Sequence, residues 1–313
     1  TAQIPMQDNI HLAVDIYWPT GYRKGDVYPV LLEYIPYRKD ESRGRNYPLY
    51  SYFLDNDYIV ARVDIRGTGN SEGKVIPNEY SDIELDDGEE VIGWLANQSW
   101  SNGKVGMFGI SWGGFNSIQM AMRNPPALKA FVAVMATEYL YEEDVHYIDG
   151  IMVAGDSWMM SNDLYNSLPG APDFIMDEQW YEDRFDVEPS VYKYMRQQRD
   201  GPFWDRASAK NKYHLIKVPG YHIGGWYDGY RNSLPRMVEN VSAPVKAMIG
   251  PWDHDYPHDA ALKPQVEWRH EAVRWFDQFL KQKNTGILDE PKFAIYMRDY
   301  HEPDDSIEYI PGY

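Results

Sequence analysis

The clearest chemical feature of the sequence is a serine enclosed by glycines. The stretch GKVGMFGISWGGFNSIQMAM (103–122) contains Ser111 in a G-x-S-x-G pattern, with Gly109 before it and Gly113 and Gly114 after it. This pattern is typical of a nucleophile elbow, a tight turn between a strand and a helix that projects the serine hydroxyl above a sheet. Small neighbours prevent collisions, and the N-terminus of the helix favours an oxyanion beside the hydroxyl. Ser111 is therefore predicted to be a catalytic nucleophile.

A serine hydroxyl needs a base, and the base needs an acid that orients it. After a nucleophile elbow the acid and then the histidine follow, each on a loop at the carboxyl end of a strand. Asp228 comes after the strand-like KVPGYHIGGW, and His254 comes after PVKAMIGPW. His258 is the best alternative base, whereas His222 lies within a strand and is expected to be a core residue. The topology predicts the triad Ser111, Asp228 and His254.

Acyl transfer also needs two hydrogen-bond donors for the oxyanion. The backbone N–H of Trp112, the residue after the nucleophile, is the first. The second is expected from the loop PYRKDE, which follows the strand VLLEYI and contains Tyr37. By position alone, Tyr37 could equally be a loop aromatic that packs on the surface. This chemistry requires no metal and no organic cofactor.

Strands that alternate with helices must position these loops. YPVLLEYIPY, DYIVARVDIRG and LKAFVAVMA are typical of buried strands, and NIHLAVDIYWP is predicted to be an edge strand. Residues 80–97 and 265–283 have helical periodicity. The acidic run DIELDDGEE lacks the alternating ligands of a calcium loop, so a solvated helix face is expected. The alternation predicts an α/β fold, a mainly parallel sheet with helices on both faces.

The alternation is interrupted by an aromatic-rich and acidic stretch at about residues 138–212. Disordered segments are poor in aromatics, so this stretch is predicted to be an inserted helical cap over the active edge of the sheet. The predicted organisation is a core in two parts, residues 1–137 and 213–287, interrupted by the cap at 138–212. Residues 288–313 are expected to be the start of a C-terminal β domain or a tail.

Composition excludes several functional classes. The 313 residues carry a formal net charge of −18, which argues against binding to nucleic acid or to an anionic membrane surface. The absence of cysteine excludes disulfides and thiolate chemistry, and no apolar run is long enough for a transmembrane helix. The glycine-rich RGTGNSEGK has neither of the phosphate-loop spacings. Because the chain begins at Thr1, a signal peptide removed before it is compatible with the sequence, so periplasmic or secreted locations stay open beside the cytoplasm.

Several segments, taken in order, resemble the cocaine-esterase and X-prolyl dipeptidyl aminopeptidase family of α/β-hydrolases, which includes α-amino-acid ester hydrolases. The segments are IPMQDNIHLAVDIYWP, PYRKDE, DIRGTGNSEG, GWYDG and GPWDH. The resemblance implies the α/β-hydrolase fold, the Tyr37 hydroxyl as the second oxyanion donor, and support for Asp228 and His254. Trp112 departs from the tyrosine that is usual in the family after the nucleophile. Because only its backbone N–H is needed, the chemistry is expected to survive.

The triad and the resemblance predict a serine hydrolase that cleaves an ester or amide bond of a small-molecule substrate. Family members that recognise a free α-amino group have extra carboxylates after the catalytic acid, but here Asp228 is followed by GYR. A carboxylesterase or acylase is therefore favoured over an X-prolyl dipeptidyl aminopeptidase or an α-amino-acid ester hydrolase. Glu142, Glu143 and Asp144 in the cap are candidate substitutes for the missing carboxylates.

Two further hypotheses stay open. Family members normally continue into a β-sandwich domain that walls the site, and PKFAIYMRDY resembles its first strand. The chain would then be a catalytically incomplete fragment that needs the missing C-terminal β domain or a homo-oligomeric partner. Alternatively, it is a binding module that has kept the fold. The intact set of Ser111, Asp228, His254 and Tyr37 argues against a binding module.

Overall fold

The computed structural model describes residues 1–153 and 155–313, with the backbone alone for residues 156–159. The strands in this part of the chain are β1 (Ala2–Pro5), β2 (His11–Tyr17), β3 (Tyr28–Ile35), β4 (Ile59–Asp64), β5 (Ser101–Ile110), β6 (Leu128–Val134), β7 (Tyr147–Ile148), β8 (Ile151–Met152), β9 (Gly220–Gly225), β10 (Val245–Gly250) and β11 (Phe293–Ile295). The helices are α1 (Arg43–Leu54), α2 (Asp82–Ala96), α3 (Trp112–Arg123), α4 (Asp156–Ser167), α5 (Glu178–Trp180), α6 (Val191–Arg196), α7 (Pro202–Asp205), α8 (Ser233–Asn240) and α9 (Trp268–Leu280).

The described strands form one large, mainly parallel sheet in the order β1-β2-β4-β3-β5-β6-β9-β10-β11, and β7 and β8 form a separate hairpin. Among the described strands of the large sheet, only β2 runs against its neighbours, β1 and β4. The prediction that NIHLAVDIYWP is an edge strand is therefore wrong, because residues 2–5 add a further strand outside it. The parallel strands β3, β4 and β6 are buried along most of their length, and β5 is buried over residues 105–109, as their continuous apolar runs predict.

Helices cover both faces of this sheet. A Cβ added at Gly106 of β5 would lie 2.8 Å from the ring of Phe276 in α9, whereas one at Gly109 would lie 2.7 Å from Gly113 in α3. Residues an odd number of positions apart in a strand face opposite sides, so α9 and α3 lie on opposite faces. Helix α2 packs beside α3, and α1 packs beside α9. The predicted α/β arrangement is confirmed.

The acidic helix α2 differs from its prediction. Its Ile83 is 39% exposed, whereas the acidic residues Glu84 and Asp87 are buried. The Asp87 carboxylate accepts two hydrogen bonds from the guanidinium of Arg66, at 2.8 and 2.7 Å. The expectation of a solvated acidic face is wrong for these two residues, because donors from other segments pair with them inside the protein.

Residues 138–212 contain the β7–β8 hairpin, the helix α4 and the short helices α5 to α7, joined by loops. Beyond α9, strand β11 pairs in parallel with β10 and forms one edge of the large sheet. From the sequence, residues 288–313 are predicted to be the start of a further β domain or a tail. None of the described helices combines the length and the apolar character of a membrane span.

Candidate active site

Ser111 stands alone between β5 and α3. Its backbone has φ +56° and ψ −125°, in the left-handed half of conformational space that side chains rarely adopt. Its N–H donates to the carbonyl of Val134 at 3.0 Å, and its own carbonyl accepts from the N–H of Phe115 at 2.9 Å. These bonds anchor the strained residue to β6 on one side and to the first turn of α3 on the other. The geometry is that of a nucleophile elbow.

The surrounding glycines are required by close packing. A Cβ at Gly109 would lie 2.7 Å from the Cα of Gly113, and one at Gly113 would lie 3.0 Å from the Ile35 side chain. A Cβ at Gly114 would lie 2.8 Å from that of Ala136. A larger residue at Gly109 would therefore force β5 and α3 apart, and one at Gly113 or Gly114 would push α3 away from Ile35 or Ala136.

Asp228 and His254 meet at the same edge of the sheet. Asp228 follows β9 and His254 follows β10, and the Nδ1 atom of the histidine lies 2.8 Å from Oδ1 of the aspartate. Asp228 is buried, whereas the side chain of His254 is 45% exposed. The structure thus pairs the predicted acid with the predicted base. Among the hydrogen bonds of the described residues, none joins His254 to Ser111.

Tyr230 connects this pair with the serine. Its ring centroid is 5.7 Å from that of His254 and 5.2 Å from that of Phe115. Tyr230 also lines a small cavity, hereafter the Ser111 cavity, into which the serine opens. This cavity is lined by Tyr37, Glu79, Tyr80, Ser111, Trp112, Phe115, Asp144, Val145, Asn162 and Tyr230. Tyr230 therefore lies between the Asp228–His254 pair and the Ser111 cavity.

Tyr37 lies beside the serine. Burial raises the pKa of its phenol well above the usual value, while hydrogen bonds with the Ser111 side chain and the Trp112 backbone N–H act in the opposite direction. The phenol is consequently a neutral O–H donor throughout the physiological range. Its ring also meets that of Trp112 edge-on, with centroids 6.3 Å apart. Both predicted oxyanion donors are thus next to the serine hydroxyl, and Tyr37 is not a surface aromatic.

The alternative histidines have other partners. Nδ1 of His258 accepts a hydrogen bond from the indole of Trp268 at 2.8 Å. His222 is buried against Phe131, and burial lowers its pKa to about 4, so it is a neutral core residue as expected. Among the described hydrogen bonds, neither His258 nor His222 is joined to Asp228. The histidine that is bonded to Asp228 is His254.

Glu84 is a site residue that the sequence prediction missed. Its Oε1 atom accepts from the indole N–H of Trp112 at 2.7 Å and from the side-chain amide of Asn116 at 3.1 Å. Its Oε2 atom accepts from the backbone N–H of Tyr80 at 2.6 Å. Burial raises the pKa of Glu84 to about 7, against these three donors, which lower it. The carboxyl group therefore ties two walls of the Ser111 cavity, Trp112 and Tyr80, to α2.

A signal for this role is present in the sequence. Glu84, Gly88, Val91 and Leu95 follow one another at spacings of four, three and four residues, which places them on one face of a helix. An acid on the apolar face of an amphipathic helix is expected to be buried with a partner. The bond from the Trp112 indole to Glu84 gives this side chain a structural role, because it fixes one wall of the Ser111 cavity. The backbone N–H of Trp112 faces the phenol of Tyr37.

Carboxylates also surround the Ser111 cavity. Glu79 and Asp144 both line it, and Oε2 of Glu79 lies 3.2 Å from Nε2 of His146. Ligand atoms of these three buried residues lie within 4.8 Å of one another, so they could hold a cation. Glu143 instead pairs with Arg236 at 2.9 Å. Of the three cap acids considered from the sequence, the structure places Asp144 in the cavity.

A mainly parallel sheet, a serine at a strand–helix elbow and an acid and a histidine after later strands define an α/β-hydrolase. The structure superposes on that of a CocE/NonD family hydrolase from Staphylococcus aureus with a TM-score of 0.74 at 23% identity, covering 96% of this chain and 54% of the other. It superposes on an α-amino acid ester hydrolase with a TM-score of 0.72 at 24% identity, covering 95% and 56%. The predicted fold is confirmed.

The chain belongs to the X-Pro dipeptidyl-peptidase (S15) family, whose profile matches residues 8–256. It is 26% identical over 344 residues to the cocaine esterase of Rhodococcus sp. (strain MB1 Bresler), an alignment that covers 98% of this chain. That alignment covers 59% of the esterase, so the chain spans about three-fifths of the length of this relative. The resemblance noted from the motifs is confirmed.

Proposed function

We propose that this chain is a serine hydrolase that cleaves a carboxylic ester bond through an acyl-enzyme. The observation that carries the proposal is the 2.8 Å bond between His254 and Asp228 at the same sheet edge as the strained Ser111. Strain of this kind persists at functional sites because the surrounding structure enforces it. A glycine-rich turn without a function would not need an acid–histidine pair beside it.

The proposed reaction follows from these positions. His254 takes the proton of Ser111 while the serine oxygen attacks the ester carbonyl, and Asp228 stabilises the imidazolium that forms. The Tyr37 hydroxyl and the Trp112 N–H donate to the oxyanion, each contributing about 3 kcal/mol to the transition state. The protonated His254 then gives its proton to the leaving alcohol. Water, activated by the same histidine, releases the acid and restores the serine.

We also propose that residues 138–212 cover this site as a cap between the two parts of the core, residues 1–137 and 213–287. The support is that Asp144, Val145 and Asn162 of this segment line the Ser111 cavity together with core residues. A substrate would then be enclosed between the sheet edge and the cap. Enclosure strengthens every electrostatic interaction at the reacting carbonyl, because water is displaced.

The proposal is tested by labelling with a fluorophosphonate probe, which reports an activated serine without knowledge of the substrate. Intact-mass and peptide mass spectrometry are expected to show one adduct, on Ser111. The adduct should be lost in Ser111→Ala and His254→Ala but kept in His258→Ala, the matched control. No adduct on a chain shown to be folded by circular dichroism would refute the proposal. The absence of an adduct would favour a binding module or a site that needs a further domain.

A second candidate function is supported by the carboxylates of Glu79 and Asp144. Both are buried and line the Ser111 cavity, where they would attract the ammonium group of an α-amino acid ester or an N-terminal residue. The test compares phenylalanine methyl ester with its N-acetyl derivative. An aminopeptidase-like site should prefer the free amine, and Glu79→Gln and Asp144→Asn should remove that preference. Equal rates on the two esters would leave the simple esterase.

A further inference from the structure

Two cavities of unequal size share walls beside Ser111. The Ser111 cavity has a volume of about 40 Å³, little more than the roughly 30 Å³ that one water molecule occupies in the liquid. It has room for a reacting carbonyl group but not for a long acyl chain. A second cavity of about 270 Å³, which we call the side cavity, has Trp112 and Glu79 in common with it as walls. The side cavity is therefore the nearest space for the larger part of a substrate.

The side cavity lies next to the residues of the proposed oxyanion hole. Trp112, whose backbone N–H is one proposed donor, lines it, and so does Pro36, which immediately precedes Tyr37, the other donor. The described walls all belong to residues 36–190, so His254 is not among them. Tyr230, which contacts His254, lines the Ser111 cavity but not the side cavity.

This placement distinguishes the two halves of an ester. In the proposed reaction His254 gives its proton to the leaving alcohol, so the alcohol oxygen must come within hydrogen-bond reach of the imidazole. The alcohol part of the ester therefore extends toward the side of the site that carries His254. A group that enters the side cavity, away from His254, belongs to the acyl part.

The walls of the side cavity are largely aliphatic. They include Ile65, Val75, Ile76, Leu164 and Val187, from the core segment 65–79 and the cap segment 160–190. Aliphatic walls offer no directed hydrogen bonds, and they favour a ligand in proportion to the apolar surface that it removes from water. The side cavity is thus suited to an alkyl chain.

The charged walls disfavour an acyl group that ends in a carboxylate. Three acids line the side cavity, Glu79, Asp163 and Glu188. Among the described walls the only cation is Arg184, and its guanidinium already donates to the backbone carbonyls of Gly69, at 3.0 Å, and Ser71. An anionic chain end would therefore lie among acids, without a cation to pair with.

We propose that the side cavity is the acyl subsite, and that the substrate is an ester of a neutral, medium-chain aliphatic acid. A methylene group is similar in size to a water molecule, so about 270 Å³ has room for a chain of roughly six to eight carbons. The inference rests on the proposed function, because it assigns the side cavity to the acyl part of the same reaction.

The first test varies the acyl chain alone. The p-nitrophenyl esters from acetate to dodecanoate share one leaving group, so their kcat/KM values report the acyl part. Each added methylene up to about octanoate should raise kcat/KM about threefold, because it moves from water to aliphatic walls, and dodecanoate should give no further gain. The mono-p-nitrophenyl ester of adipic acid should react at least about tenfold more slowly than the hexanoate, because its carboxylate meets the three acids.

Two variants should shift this chain-length profile in opposite directions. Val187→Trp fills the side cavity and should lower kcat/KM for the octanoate at least about tenfold, while the rate on the acetate is unchanged. Leu164→Ala enlarges it and should move the optimum to a chain about two carbons longer. The control is Val27→Trp, at an exposed valine that lines neither cavity, which should leave the profile as it is. A preference for the acetate, or a profile that neither variant shifts, would overturn the proposal.

Binding to the Ser111→Ala variant separates this inference from the proposed function. The variant cannot form an acyl-enzyme, so calorimetry with octanamide and acetamide reports the side cavity alone. Octanamide should bind at least about tenfold more tightly, and adding Val187→Trp should remove the difference. If this difference is found but no ester is hydrolysed, the proposed function fails and the side cavity is still supported as an alkyl-chain site. If esters are hydrolysed but octanamide binds no better than acetamide, the acyl subsite is wrong.

Discussion

Glu84 provides the sharpest test of how the Ser111 cavity is held together. In Glu84→Leu, Asn116 keeps its bond to the Tyr34 carbonyl at 3.0 Å. The indole N–H of Trp112 and the backbone N–H of Tyr80 lose the acceptor described above. Each unpaired buried donor costs about 1–3 kcal/mol, or about 2–6 kcal/mol for the two. Because a buried carboxyl no longer has to be desolvated, we expect a net loss of about 2–4 kcal/mol in the free energy of unfolding.

Urea unfolding at pH 7 measures this loss directly. Glu84→Gln should fall between the wild type and Glu84→Leu, because the amide oxygen can still accept from Trp112 while the NH₂ faces the N–H of Tyr80. The control is Asp82→Asn, an exposed acid in the first turn of the same helix, for which less than about 1 kcal/mol is expected. If Glu84→Leu is as stable as the wild type, the carboxyl does not hold these walls and the reasoning fails.

Three other predictions concern the elbow, the oxyanion hole and the cap. Tyr37→Phe should lower kcat on a p-nitrophenyl ester about 10²–10³-fold while the urea midpoint is unchanged; an unaltered kcat would remove Tyr37 from the oxyanion hole. Gly109→Ala should destabilise the fold by about 1–3 kcal/mol in urea because its Cβ would lie 2.7 Å from Gly113, whereas Gly93→Ala, with open space around it, should be neutral or stabilising. Burial raises the pKa of Asp163 from 3.8 to about 7, so the folded chain retains a proton that the unfolded chain releases. Its contribution to the free energy of unfolding should therefore decrease between about pH 4 and pH 7, and Asp163→Asn should flatten that part of the profile.

The elements nearest the serine could be predicted from the sequence because local constraints determine them. The turn at Ser111 needs clearance between one strand and one helix, and only small residues provide it. Asp228 and His254 followed from the order of the chain, since parallel strands bring their carboxyl ends to one edge of the sheet. Tyr37 required the resemblance to the family, because its position in a loop did not distinguish it from a surface aromatic.

The features that were missed depend on contacts between distant segments. Glu84 was assigned to a solvated face because the acids around it outnumber the apolar residues, and its donors come from α3 and from the turn before α2. The strand at residues 2–5 could not be predicted from periodicity, because four residues carry little of it.

The exposure of His254 has a consequence for the fate of an acyl-enzyme. Its partner Asp228 is buried, but the side chain of the histidine is 45% accessible to solvent. The general base would therefore activate whichever small hydroxyl compound arrives from the bulk, and water would have no privileged position. In aqueous methanol we expect transesterification to compete with hydrolysis, so that methyl esters accumulate in proportion to the alcohol concentration while the rate of acylation stays the same.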